Sequence, residues 1–214
     1  MLKKKYYDVT IPLADDIHRW PGSTNYKLNS EKRIDGGDIC NESSVCMDLH
    51  YGTHVDAPLH FIREGKSSDI LEINKVLGDA YVVDMRGADS ITYDRLESAD
   101  IPDDCKRLLI KTNNSILWRN KDAVFYEDYT ALDLSACQWI VEKGIALVGI
   151  DYLSIESYNS DCSVHLHLLS NDVVILESLD LNEIKEGVYE LICMPLKITG
   201  AEAAPARVIL REYE

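Results

Sequence analysis

The sequence predicts a single α/β domain built on a central mixed β-sheet flanked by a few helices. Three observations carry this. Short β-branched apolar runs recur at 80–85, 145–150 and 173–176, as expected of strands buried on both faces. A helical apolar stripe at 135–143 stands between strand-like runs at 107–112 and 145–150, and strand–helix–strand order calls for a crossover between sheet neighbours. The 214 residues fit one domain, and no internal repeat, low-complexity tract or linker divides them.

Taken in order, residues 6–13 read as a first strand and 15–23 as a loop. Trp20-Pro21-Gly22 makes a turn that holds the indole outward or over a cavity, against the alternative of packing on the core rim. His18 reads as a surface histidine. Residues 31–42, with Gly36-Gly37, read as a loop or mobile edge. Residues 43–50 read as a strand that delivers His50 at its end. A short helix opens near Asp69, taken as its N-cap, and Gly78 closes that segment. Residues 92–97 form a second short helix. The stretch 113–130 is long and irregular, which in a compact domain marks a functional segment or an interface; Asn113-Asn114 either faces the site or caps backbone. Ser135 with Gln138 reads as a capping box, and Gly144 as the helix stop. Residues 152–164 are a polar loop, 173–176 deliver Glu177, and 188–196 and 206–210 are the last strands.

Net charge is −15 and the pI about 4.7. Phosphate-binding surfaces are normally basic, so nucleic acid is not an expected partner. The six cysteines form no Cys-x-x-Cys pair and read as free, mostly buried thiols of a cytoplasmic protein. The basic start, residues 1–5, is followed by Tyr6-Tyr7-Asp8 and not by an apolar segment, so neither a signal peptide nor a membrane span is expected.

Residues 48–61 concentrate the chemistry. Three of the six histidines lie between positions 50 and 60: His50, His54 and His60, with Asp56 among them. Gly52 and Pro58 argue against a helix, as do β-branched Thr53 and Val55. A plain strand would space His50 and His54 roughly 13 Å apart, too far to share one ion. The segment must therefore bend at Gly52 and fold back, gathering imidazoles and a carboxylate suited to zinc, manganese or iron(II). Later, Glu177 ends an apolar run, a poor place for an unpaired carboxylate; the competing account is an ion pair with Lys or Arg. His165 and His167 share a face if their segment is extended, and either could be a ligand.

His-x-Gly-Thr-His-x-Asp-x-Pro-x-His at 50–60 resembles the signature of the cyclase-like metal-dependent hydrolases, the family of bacterial kynurenine formamidase and isatin hydrolase. The resemblance extends to Trp20-Pro21-Gly22, the strand end 147–151 and the closing segment from Pro195 to Arg207. It selects His165, through His-x-x-Leu-Leu with a glutamate twelve residues on. It implies a partly closed sheet (a swivelling β/β/α arrangement) and a dimer or larger homo-oligomer. It also implies a two-metal site for zinc or manganese: His50, His54 and Asp56 on one ion, His165 on the other, Asp56 bridging and Glu177 touching both. Two carboxylates and three neutral imidazoles against two dications leave a positive centre that acidifies water. In the family His60 is the catalytic histidine, and Trp20 contacts the substrate. Val164 and Leu166 replace the family's hydroxyl and basic neighbours of His165. The expected activity is hydrolysis of a small aromatic amide, most like N-formylkynurenine. Opening of an isatin-type lactam or another cyclic amide or ester is the first rival, and a metal-holding protein that binds a small molecule without turnover the second.

Overall fold

Four parallel strands form one wall of the sheet, and the last of them ends at Glu177. The computed structural model describes residues 5–213, so the basic start at 1–4 and the last residue lie outside the described residues. In chain order the strands and helices are β1 (Tyr6–Asp8), β2 (Lys27–Lys32), β3 (Glu42–Cys46), β4 (His54–Asp56), α1 (Ile73–Val76), β5 (Leu77–Asp84), α2 (Tyr93–Ser98) and β6 (Arg107–Lys111), then α3 (Leu134–Glu142), β7 (Leu147–Ile150), α4 (Ser163–Ser170), β8 (Val174–Glu177), β9 (Gly187–Pro195) and β10 (Ala203–Glu212). Strands β5, β6, β7 and β8 run parallel. α2, α3 and α4 connect them in turn. Antiparallel β4 and β10 follow β8, and β9 pairs with both β10 and β5, so the sheet closes on itself. β1 joins the outer half of β10.

Strand alternation divides the core in two. Val82, Leu109, Leu147 and Leu176 point into the barrel, where they meet Leu191 and Val208. Their neighbours Val83, Leu108, Ile110, Val148 and Ile175 point outward onto Leu96, Ala136, Ile140 and Leu168 of α2, α3 and α4. Gly149 faces inward where a Cβ would come within 2.6 Å of Leu109 Cδ2. No helix is long and apolar enough to cross a membrane, among the described residues.

Several sequence expectations shift. The first strand covers only Tyr6–Asp8; beyond it Thr10 makes an isolated bridge to Leu179 and the Ile11 N–H donates to the Thr53 hydroxyl, so the chain leaves the ladder with β10. The strand expected at 43–50 ends at Cys46, and it pairs with β2 as a separate two-stranded arm that takes in the expected loop at 31–42. Asp69 is no N-cap: its carboxylate accepts from Ser67 Oγ and Gly200 N–H, and α1 starts only at Ile73. On α3 the cap is Asp133, which accepts from the Ala136 N–H at 3.0 Å, while Ser135 Oγ accepts from the Tyr93 N–H of the neighbouring helix. Gly144 does end that helix, at φ +65°. Within 113–130 lies a 3-10 helix, Asn113–Arg119, and Asn114 caps backbone, pairing with both the N–H and the C=O of Thr130. All six cysteines are free, but Cys40, Cys46 and Cys162 are exposed, so the thiols are not mostly buried.

Candidate metal centre

The site is built on the outward face of β4 and β8. Val55 and Leu176 are partners in register and both turn into the barrel. By alternation His54, Asp56 and Glu177 must turn the other way, and His54 lies directly across from Glu177. The chain reaches β4 through the bend expected at Gly52, where φ is +72°. Thr53 pins that bend: its hydroxyl donates to Ser178 O and accepts from the Ile11 N–H. His50 stands in the turn before the bend and not at a strand end.

These pieces bring the donors together. His50 Nδ1 lies 3.0 Å from Asp56 Oδ1 and 3.1 Å from His54 Nε2. His54 Nε2 lies 3.4 Å from Asp56 Oδ1 and 3.3 Å from Glu177 Oε2, and its Nδ1 faces Gly52 O at 2.8 Å. Two groups therefore share Asp56, namely His50–Asp56–His60 and His54–Asp56–Glu177, with the donor atoms of each within 4.8 Å of one another. His165 Nε2 reaches Glu177 Oε1 at 3.3 Å. The partners of Glu177 are these imidazoles and the Ile155 N–H; no Lys or Arg pairs with it among the described residues.

His165 corrects one expectation. Its segment is helical, so His165 and His167 point to different faces: His165 is buried against the site, and His167 lies partly exposed with no part in it. His18 corrects another, being fully buried, with its ring nitrogens on the carbonyls of Val124 and Leu117 beneath the aromatic 113–130 segment.

Asp56 tests whether an ion fits. It is fully buried, yet neither oxygen takes part in a hydrogen bond among the described residues; the nearby imidazoles are within reach but misdirected. Burial would raise its carboxyl, but the His50 and His54 rings hold it well below the usual carboxylate range. Burial would likewise lower His54 and His165, but the surrounding carboxylates raise both to about 10. The carboxylates therefore demand positive charge at their centre, and these converging nitrogen and oxygen donors, with both Asp56 oxygens free of hydrogen bonds, could hold a divalent cation.

Beside the donors lies a cavity of about 390 Å³, walled by Trp20, His50, His60, Phe61, Leu153, Tyr158 and His165. Trp20 does both things the sequence allowed: it lines the cavity, and it packs edge-on against Phe125 and Tyr158 at 5.1 and 5.3 Å. His60 lies with its ring centroid 4.2 Å from that of His50, and burial lowers its pKa. Phe61 stacks on His165 at 4.7 Å. Phe61, Tyr158 and the buried Glu156 were not singled out in the sequence. Adjacency to the motif could have flagged Phe61, whereas nothing local marks the other two.

The model of the Cyclase family matches residues 7–157. The chain belongs to the cyclase family. A curated relative of this cyclase-family chain, kynurenine formamidase of Bacillus cereus, is 32% identical over 214 residues, covering 99% of each chain. The solved structure of a potential metal-dependent hydrolase with cyclase activity superimposes at a TM-score of 0.85 with 32% identity, over 99% of this chain and 100% of that one. Isatin hydrolase A from Ralstonia solanacearum shares the fold at a TM-score of 0.84 with 21% identity, over 98% and 92% of the two chains.

Proposed function

We propose that this chain is a divalent-metal-dependent hydrolase of a small aromatic amide, acting on a carbon–nitrogen bond of the kind found in N-formylkynurenine. One observation carries the reading: a buried carboxylate, Asp56, is shared by two donor groups and hydrogen-bonded by neither, beside an aromatic-walled cavity. His50, His54 and Asp56 would hold one ion and His165 a second, with the carboxylates of Asp56 and Glu177 within reach of both groups. The mixed nitrogen and oxygen donor set suits zinc or manganese. When bound, such ions supply Lewis acidity and a water acidified toward neutral pH.

The chain's own residues do the rest. Trp20, Phe61 and Tyr158 receive the aryl ring and keep bulk water from it. His60, kept neutral by burial, accepts a proton as oxygen attacks the amide carbon. It returns that proton to the departing nitrogen as the carbon–nitrogen bond breaks, so formate and an arylamine leave. The similarity to kynurenine formamidases over the whole chain supports this substrate class.

The test is formate release from N-formylkynurenine by protein stripped of metal and reloaded with zinc or manganese. Metal-dependent turnover is expected. No turnover in protein holding two ions per chain would rule out that substrate, and turnover of isatin under the same conditions would move the assignment to lactam opening.

We assign the protein to a homo-oligomer in the reducing cytoplasm. The β2–β3 arm, exposed along nearly its whole length, supports the first, and six unpaired cysteines support the second.

A further inference from the structure

Glu156 is outside the donor set, yet it is the buried carboxylate to which His165 is tied. It is 2% exposed. Its own backbone is anchored: the N–H donates to Ser154 Oγ and the C=O accepts from the Tyr129 hydroxyl. Oε1 accepts from the Val164 N–H at 3.1 Å. Oε2 accepts from the His165 N–H at 3.2 Å and lies 2.6 Å from His165 Nδ1.

These bonds do two jobs. The first-turn N–H groups of α4 have no partner within the helix, and its N-cap residue, Cys162, sits at φ +65° and makes no side-chain cap bond; Asp161 accepts from the Ser163 N–H, which leaves those of Val164 and His165. Glu156 reaches in from the preceding loop and takes that role. The same carboxylate fixes the imidazole. A carboxylate only accepts, so Nδ1 carries a proton toward Glu156, and Nε2, which faces Glu177 Oε1 3.3 Å away, is the nitrogen left to bind an ion. The helix start, the ring orientation and the Nδ1 proton thus converge on one side chain.

We propose that Glu156 is a positioning residue that presents His165 Nε2 to the ion shared with Glu177. This rests on the two-ion reading above. It assigns Glu156 no contact with substrate and no proton transfer. A glutamine at 156 has one acceptor oxygen for three donors. With its amide nitrogen toward Nδ1, it drives the ring proton to Nε2 and blocks the ligand position.

The test titrates zinc-loaded wild-type and Glu156→Gln protein with a chromophoric chelator. The variant should hold the His165 ion about 10–100-fold more weakly and the His50–His54 ion unchanged. Equal affinity for both ions in a folded variant overturns the proposal and leaves the two-ion reading intact. Failure of the wild type to hold a second ion overturns the two-ion reading instead, and this proposal with it. A second measurement needs no variant: ring-nitrogen NMR of the zinc-loaded wild type should find the His165 proton on Nδ1 and the metal on Nε2. The opposite tautomer overturns the proposal even if Glu156→Gln does not fold.

Discussion

At the scale of single residues, position in the cluster and role in the reaction are separable. His60 lies near enough to His50 and Asp56 to be counted a ligand, whereas the function proposed above leaves it free for proton transfer. His60→Ala decides between these roles: we expect kcat to fall by about 10²–10⁴-fold with two ions per chain still present by elemental analysis. Loss of an ion would make His60 a ligand. Asp56→Asn should release both ions, because both groups depend on that carboxylate. Trp20→Ala should raise KM by up to about 10-fold with kcat little changed, in line with the energy of one aromatic pair; a kcat loss without a KM change would remove Trp20 from substrate contact. The ligand candidates at 50–60 were legible because they are crowded into eleven residues of one chain segment. Glu177 was legible as a charge ending an apolar run. Glu156 was not, since its partner lies nine residues on and only the fold of the 152–164 loop brings the two together.

At the scale of elements, short segments gave the weakest signal. Val164-His165-Leu166-His167-Leu168 alternates like a strand, but the chain buries Val164, His165, Leu168 and Leu169, which is one helical face. Five residues of alternation cannot separate the two periods, and the cap that would mark the helix start is supplied by a residue outside it. On α3 the Asp133 cap was missed because Ser135 offers an equally good local pattern two residues later; only the Tyr93 N–H, from another helix, draws Ser135 away. The turn Pro58–His60 that carries His60 depends on a neighbour of the same kind. Gly65 folds back so closely that a Cβ there would lie 2.5 Å from the Pro58 carbonyl carbon. Gly65→Ala should therefore cost about 1–3 kcal/mol, lower Tm by roughly 3–10 °C, and reduce kcat/KM as the turn shifts. Gly36→Ala, where a Cβ meets nothing closer than 4.0 Å, is the control. Equal Tm and kcat/KM in the two variants would show that the turn tolerates displacement.

At the scale of the whole molecule, the crossover units were legible from apolar runs that alternate with a helical stripe, whereas closure of the sheet followed only from the family resemblance. The pairing of β9 with both β10 and β5 is a long-range register that no local pattern encodes. The β2–β3 arm was hidden for a related reason: Lys-Leu-Asn-Ser-Glu-Lys has little β-branched content, and an arm that packs on no core needs none. The homo-oligomer proposed above assigns that arm a part in assembly. Leu28 and Val45 are partners across it and stand 58% and 52% exposed, and Ile39 at its far end is 98% exposed. A two-stranded ribbon alone is marginal in water, and paired apolar side chains on it are surface that a second copy can cover. Light scattering should give at least a dimer mass for the wild type. The double variant Leu28→Glu and Val45→Glu should shift toward monomer without losing Tm in the monomeric body, because neither side chain belongs to the cores. A monomeric wild type, or a double variant with unchanged mass, would remove the arm from assembly and leave its apolar residues to be explained by something other than a second copy.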